Sequence, residues 1–201
     1  AGDELVAALT LADGTAFPAR ARALRRQAAQ SLAAGAGGKP GAEALKAVLK
    51  DSHDAELRSI AAAGLAAQDP KGAAKLVPLV LDDGPSLARL VGPDSAPALR
   101  PAAGDSHRQG IALAHLVALG DSAGLIKALA DTQHETARLG LVEALGKVAD
   151  EPAMAALRKL GASDAEDEEL RKAAWRALRR AKRIAADRSS PRERHGRWEV
   201  Q

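Results

Sequence analysis

The sequence predicts an all-α protein built from stacked helix pairs, and three observations support this. Alanine, the strongest helix former, makes up about a quarter of the 201 residues. No stretch alternates β-branched and polar residues as a strand would. A motif also recurs, with an arginine followed by a small or apolar residue three positions later and a leucine seven positions later; its copies begin at Arg25, Arg58, Arg138 and Arg171, and in degenerate form at Gln109. Such repetition predicts a solenoid, because each unit buries its apolar face only against its neighbours.

The motif places one apolar stripe on the second helix of each pair. The positions one before, three after and seven after the arginine are four residues apart, so they share one helical face. The stripes are Leu24/Ala28/Leu32, Leu57/Ala61/Leu65, Ala137/Leu141/Leu145 and Leu170/Ala174/Leu178, with Arg108/Ala112/Leu116 in the degenerate copy.

The first helix of each pair is predicted in the intervals between the motif copies. Apolar residues at helical spacing indicate helices at 3–12, 42–50, 71–81, 122–130 and 152–160. We expect Pro78 to kink the third of these, whereas Pro152 suits a first helical turn. The sequence therefore predicts about five helix pairs.

The third pair departs from the repeat. Its motif copy begins at Gln109, 51 residues after Arg58, whereas the other copies follow one another at 29 or 33 residues. The segment 82–105 within this interval contains four prolines and three glycines. This composition predicts a loop insertion of about 18 residues, with one helical turn at 86–91. The solenoid domain is predicted over 1–185, with the insertion loop at 82–105, and a basic tail over 186–201.

Three motif arginines follow an aspartate at a distance of seven residues, in the pairs Asp51/Arg58, Asp131/Arg138 and Asp164/Arg171. With these pairs and the repeated Ala-Ala-x-x-Leu pattern, the chain resembles the HEAT repeat family, especially the short bacterial repeats related to phycobilisome lyases. The resemblance implies an α-α superhelix and a ladder of Asp–Arg pairs between neighbouring units. Two copies depart from it, since Pro18 replaces the first aspartate and Ala102 and Gln109 replace both residues of the third pair.

Positive charge is concentrated at the C-terminal end. The chain has a net charge of +3, yet residues 171–197 hold eleven Lys/Arg against Asp187 and Glu193. The candidate partner-binding residues are a helical stripe, Arg176, Arg179, Arg180 and Arg183, and a tail with Arg188, Arg192, Arg194, Arg197 and Trp198, the last as a candidate anchor for a partner. Such a surface can bind phosphates, an acidic protein or anionic lipid. The competing interpretation is a solvated helix, paired in part with the acidic residues of 164–169, followed by a disordered tail.

No motif in the sequence indicates catalysis, a metal or a cofactor. There is no cysteine, phosphate loop or triad spacing. Among HEAT proteins, iron hydroxylases use several His-Glu pairs, whereas this chain has only His134-Glu135; bilin lyases need a chromophore pocket; DNA glycosylases need aromatic residues in a basic groove. Trp175 falls in the column of Ala29, Ala62, Leu113 and Val142, which predicts a packing role at the end of the solenoid.

The sequence predicts a non-catalytic protein-binding scaffold or adaptor, using the concave face of the solenoid and the basic C-terminus as a second attachment. The alternative is a nucleic-acid-associated module that binds through the C-terminus, and a third candidate is a lyase-type accessory enzyme. We expect protein partners and no membrane span, since no apolar run reaches ~18–20 residues. A cytoplasmic location is favoured, and an exported form that begins at Ala1 after processing is also compatible with the sequence.

Overall fold

The computed structural model describes residues 2–10, 18–105 and 107–189, and these residues are all-helical. Twelve α-helices and two 3-10 helices follow one another, with no strand in the described ranges. The predicted all-α class is therefore confirmed. The helices are α1 Gly2–Leu9, α2 Pro18–Ala33, α3 Gly38–Asp51, α4 Ala55–Gln68, α5 Pro70–Ala74, α6 Gly84–Leu90, α7 Ala96–Ala103, α8 Gln109–Ala118, α9 Ser122–Asp131, α10 Glu135–Val148, α11 Glu151–Gly161 and α12 Glu168–Ser189; the 3-10 helices are Val77–Val80 and Pro93–Ser95.

Aspartate side chains begin many of these helices. A carboxylate placed before the first turn accepts a backbone N–H that has no partner within the helix, and it also suits the positive end of the helix dipole. Such contacts are made by Asp54, Asp69, Asp83, Asp121, Asp150 and Asp167, at 2.8–3.3 Å from the backbone nitrogen. The interhelix segments are therefore fixed by short-range chemistry that is visible in the sequence.

The helices form six consecutive pairs in which alternate helices also pack on one another. Among the second helices, α2 packs on α4 and α4 on α6, while α8 packs on α10 and α10 on α12. Among the first helices, α1 packs on α3, α7 on α9 and α9 on α11. Helices α6 and α8 do not pack extensively on each other, so the row of second helices is interrupted there.

The predicted apolar stripes form the core of these pairs. Every stripe residue of the second, fourth and fifth predicted copies is at most 5% exposed, and Ala112 and Leu116 are fully buried. The exception is Leu24 on α2, which is 45% exposed. The four-residue spacing was therefore sufficient to identify the core side of the second helices.

The predicted loop at 82–105 is wrong, because this segment forms α6, a 3-10 helix and α7. Leu87 and Leu99 from these helices are fully buried in the core. Pro85 and Pro97 lie in first helical turns, where a missing N–H costs nothing, so they start helices instead of preventing them. The segment supplies the second helix of the third pair and the first helix of the fourth, giving six pairs where five were predicted.

Two predicted boundaries also differ from the structure. The single helix at 71–81 is divided into α5 and the 3-10 helix Val77–Val80, which contains Pro78. The basic tail was predicted to begin at 186, yet α12 continues to Ser189. Its last turn is held in place because Arg188 Nη1 donates a hydrogen bond to the carbonyl oxygen of Val148 at 2.9 Å. None of the twelve helices combines the length and apolarity needed to cross a bilayer.

Candidate partner-binding surface on the last helix

Helix α12 carries the candidate surface, and its orientation is fixed by a buried apolar face. Asp167 Oδ1 accepts the backbone N–H of Leu170 at 2.8 Å, and Glu168 and Glu169 lie in the first turn. These carboxylates suit the N-terminal end of the helix dipole. The core side consists of Leu170, Ala174, Ala177, Leu178 and Ala181, which pack towards α10 and α11.

The α12 stripe, Arg176, Arg179, Arg180 and Arg183, lies on the exposed side opposite this core face, and all four arginines are exposed. Arg180 Nη1 lies 3.4 Å from Glu143 Oε1 on α10. The other three form no ion pair with any residue in the described ranges. Their spacing of three and four residues therefore presents three uncompensated positive charges on one surface.

The acidic cluster before α12 does not neutralise this stripe. Its carboxylates bind the first turns of α12 and the preceding second helix instead: Glu166 binds Arg138 at 2.7 Å, Asp164 binds Arg171 at 3.2 Å and Glu168 binds Lys172 at 2.6 Å. Ion pairing with Lys172 also lowers the pKa of Glu168, chiefly through its hydrogen bond. The competing interpretation, in which these acids pair with the last helix, holds for Arg171 and Lys172 but not for the stripe.

A shallow groove of about 380 Å³ runs between α10 and α12 beside the stripe. Its apolar floor is contributed by Leu139, Val142, Ala173 and Ala177, and its charged rim by Glu143, Glu169, Arg176 and Arg180. Hydrogen bonding to Lys147, with a further contribution from Arg180, lowers the pKa of the Glu143 carboxyl. The rim therefore carries fixed charges of both signs.

Trp175 occupies the packing column predicted for it, but in a different environment from the other members. The exposed fractions along the column are 0% for Ala29, 0% for Ala62, 9% for Leu113, 1% for Val142 and 40% for Trp175. One side of the indole rests on the last turn of α11, where a Cβ added to Gly161 would lie 2.8 Å from Trp175 Cε2. The ring thus packs against its own helix pair while its other side stays open.

The remaining predicted partner-binding residues divide into two groups. Arg188 belongs to α12, and its hydrogen bond to Val148 gives it a structural role as a cation at the C-terminal end of α10. Arg192, Arg194, Arg197 and Trp198 lie outside the described residues.

The three predicted pairs do not form the ladder between neighbouring units that the resemblance implies. Among the described residues neither Asp51 nor Asp131 binds an arginine, and Asp164 binds Arg171 of its own unit. Arg58 Nε lies 2.8 Å from Asp83 Oδ2, not beside Asp51. Arg138 binds Glu166, a hydrogen bond that raises the pKa of its guanidinium, while Asp131 is bound by Lys127 at 2.6 Å. The Asp164–Arg171 pair forms at 3.2 Å. Asp51 and Asp131 end the first helices of their own pairs, whereas Arg58 and Arg138 reach forward to the next pair.

The connection between neighbouring pairs is instead made from an arginine to a carboxylate at or beside the start of a later helix. Asp83 and Asp121 are the helix-starting acids of α6 and α9, and they receive Arg58 and Arg100 respectively. Arg26 similarly lies 3.8 Å from Asp54 and 2.7 Å from Glu56, at the start of α4. The four-residue spacing Asp54/Arg58 and Asp167/Arg171 was the available sequence signal, because it marks the helix-starting acid.

Gln109, which replaces the motif arginine, also connects neighbouring pairs. The residue is 8% exposed, and its Nε2 donates hydrogen bonds to the carbonyl oxygens of Ala103 at 3.0 Å and Ala137 at 2.6 Å. This buried amide therefore connects the end of α7 to α10, as an ion pair connects neighbouring pairs elsewhere. At the copy that departs from the Asp–Arg pattern, hydrogen bonds therefore take the place of the ion pair.

A second concave region lies at the N-terminal end of the described structure. A larger cleft of about 1090 Å³ lies among α1, α2, α3 and the start of α4, lined in part by Arg22, Arg26, Asp51 and His53. Across the described ranges, no group of three or more His, Asp or Glu side chains is arranged to hold a metal ion. No protein-family model matches the chain, and no characterised protein matches it in sequence.

Proposed function

We propose that the chain is a HEAT-like α-solenoid that acts as a non-catalytic protein-binding scaffold or adaptor. In this proposal the exposed sides of the second helices form its binding surface, and α12 supplies electrostatic attraction for an acidic partner. The observation that carries the proposal is the α12 stripe, whose Arg176, Arg179 and Arg183 form no ion pair in the described structure. Uncompensated charge of this kind accelerates association with an oppositely charged surface and disfavours other partners.

The packing of alternate helices supports the solenoid part of the proposal. In a solenoid each pair contacts mainly the pair before and the pair after it. The contacts of α2 with α4, α8 with α10 and α10 with α12 have this form, as do the arginine–carboxylate connections between successive pairs. The interruption between α6 and α8 divides the proposed solenoid into two parts of three pairs each.

The mixed charge of the α10–α12 groove favours a protein partner over nucleic acid. Glu143 and Glu169 lie on the rim together with Arg176 and Arg180. Ionised carboxylates beside the arginines would repel a phosphate backbone, whereas a protein surface can present cationic and acidic groups to match both. Nucleic-acid binding is the competing outcome in the experiment that follows.

Affinity capture from the native lysate, with and without nuclease, tests this proposal. The test variant is Arg176→Glu/Arg183→Glu. The matched control is Lys39→Glu/Lys50→Glu, which makes the same charge change at exposed positions on α3, a first helix outside the proposed binding surface. We expect a nuclease-resistant protein partner whose recovery falls about 10-fold with the α12 variant, as for the loss of two favourable charge contacts of about 0.7 kcal/mol each. The control variant keeps the partner.

Two results would overturn the proposal. Equal recovery with the α12 variant and the α3 control would exclude the stripe as a specific attachment. Complete loss after nuclease, with a steep decrease in affinity as salt rises, would assign the surface to nucleic acid instead. Circular dichroism of each variant verifies that the fold is retained.

A further inference from the structure

The last helix has an open side that corresponds to a buried side in every earlier motif-bearing second helix. The column position four residues after the motif anchor is at most 9% exposed in α2, α4, α8 and α10, but Trp175 on α12 is 40% exposed. Val142 of α10 borders the groove to α12, so the next second helix contributes to its burial. In α12 the same side has no following helix among the described residues.

This side of α12 faces away from α10. Ala177 and Arg180 define the α10 side, since Gly146 of α10 approaches Ala177 closely and Glu143 binds Arg180. Trp175 and Arg179 each lie two residues from Ala177, which is a rotation of about 200° around the helix. Trp175, Arg179 and Lys182 follow at spacings of four and three, and together they form what we call the end face.

The end face cannot accept another helix pair of the same kind. Inner helices meet through small residues, with Ala33 of α2 against Gly64 of α4 and Gly146 of α10 against Ala177 of α12. The residue of α12 that corresponds to Ala33 and Gly146, eight positions after the motif arginine, is Arg179. Its long charged side chain prevents an equally close approach, so any occupant must supply a carboxylate for it.

We propose that the end face docks an acidic amphipathic helix of a partner protein, with an apolar residue on Trp175 and carboxylates beside Arg179 and Lys182. A helix is the occupant that buries this column position elsewhere in the chain, and the positive charge of the face selects an acidic one. Lys172, at the edge of the face, is already bound by Glu168 at 2.6 Å, whereas Arg179 and Lys182 have no such partner in the described part of the chain. A second copy of the chain would bring like charges together. This inference rests on the proposed scaffold function and assigns its partner and a second place of attachment.

Fluorescence of Trp175 tests the inference directly. In a Trp198→Phe background, Trp175 is the only tryptophan of the full chain. The probe is a synthetic 18-residue amphipathic helix with leucines on one side flanked by glutamates, and a peptide of the same composition in scrambled order is its control. We expect the amphipathic peptide to shift the emission to the blue and to bind at least about 10-fold more tightly than the scrambled peptide.

Variants of the end face complete the experiment. Arg179→Glu/Lys182→Glu is expected to weaken peptide binding about 10-fold, while Lys39→Glu/Lys50→Glu on α3 leaves it unchanged. Trp175→Ala, followed by anisotropy of a labelled peptide, is expected to weaken binding by a similar factor. Equal affinity for both peptides, or unchanged affinity of the end-face variants for the amphipathic peptide, would contradict the inference. A 20-nucleotide DNA that produces the same blue shift and competes with the peptide would show that the end face binds nucleic acid, and would overturn the inference.

The two proposals can fail separately. If partner capture depends on Arg176 and Arg183 but the peptide does not bind the end face, the scaffold stands and the end-face inference fails. If the peptide binds but capture is independent of the stripe, the end face remains the attachment point and the stripe is excluded.

Discussion

At the scale of the residue, single carboxylates start helices and connect neighbouring helix pairs at the same time. Asp121 shows both roles, since its Oδ1 accepts the backbone N–H of Gly124 at 3.2 Å while its two oxygens each accept a hydrogen bond of 2.8 Å from Arg100. Bidentate, charge-assisted contacts of this kind are stronger than ordinary surface ion pairs. One aspartate therefore fixes both the start of α9 and its position against α7.

Asp121→Asn tests the connecting role separately from the helix-starting role, because asparagine is also a good residue before a helix. We expect a loss of about 1–2 kcal/mol in the free energy of unfolding at neutral pH, measured by urea denaturation. Asp131→Asn is the control, since Asp131 forms an exposed pair with Lys127, and it should cost about 0.5 kcal/mol or less.

The cost of Asp121→Asn also depends on pH. The hydrogen bond from Arg100 is the main cause that lowers the pKa of Asp121 below its ordinary value of 3.8. Because the folded pKa is lower than the unfolded one, the stabilisation is complete above the unfolded pKa and is lost as pH falls through the folded pKa. The difference between wild type and variant should therefore decrease below about pH 4; a difference that persists unchanged to lower pH would contradict this assignment.

At the scale of the element, helix contacts depend on small residues at defined positions. A Cβ added to Gly64 on α4 would lie 2.4 Å from Ala33 Cβ and 2.5 Å from Ala33 Cα on α2. No side chain can occupy that space without separating the two helices. The glycine is thus explained by the close approach of α2 and α4, not by a need for unusual backbone angles.

Gly64→Ala is expected to destabilise the protein by about 1–3 kcal/mol, even though alanine favours helix by roughly 1 kcal/mol. Gly110→Ala on α8 is the matched control, since its added Cβ would have no heavy atom within 4 Å. That change should be neutral or stabilising by up to about 1 kcal/mol. The thermal unfolding temperatures of both variants distinguish close packing from helix propensity. Equal shifts at the two glycines would exclude the packing explanation.

At the scale of the whole molecule, the core is continuous along the chain but is built from contacts between neighbouring pairs. Leu45 of α3 and Leu157 of α11 are both fully buried, yet α3 and α11 have no extensive contact with each other. If the proposed solenoid is right, stability is a sum of local terms and one end can open while the other remains folded.

Native-state hydrogen exchange with two cavity variants tests this expectation. Leu157→Ala removes a buried side chain from α11, a change that typically costs about 2–5 kcal/mol, and Leu45→Ala makes the equivalent change in α3. We expect Leu157→Ala to reduce amide protection mainly in α9–α12, and Leu45→Ala mainly in α1–α4. A uniform loss of protection from either variant would show one cooperative unit and would count against the solenoid.

Local sequence patterns were sufficient for the helical class, the core stripes and the exposure of the α12 arginines. These features depend on spacing within a single helix, and residues four apart share a face whatever the helix packs against. The prediction of a loop at 82–105 failed because composition does not show where in a helix a proline lies. Pro85 and Pro97 lie in first turns, where proline is tolerated, and α7 also accommodates Pro101 in its interior.

The sequence by itself determined the helical class, the buried side of the five motif-bearing helices and where positive charge is concentrated. Only the tertiary structure decided which carboxylate each motif arginine meets, that Gln109 replaces an ion pair by two hydrogen bonds, and that Trp175 lies on an open side of α12. The physical reason is range. Helix formation and amphipathic spacing act within a few residues, whereas the Arg58–Asp83, Arg138–Glu166 and Gln109–Ala137 contacts join residues 25 to 28 positions apart, and the exposure of Trp175 depends on what packs against α12.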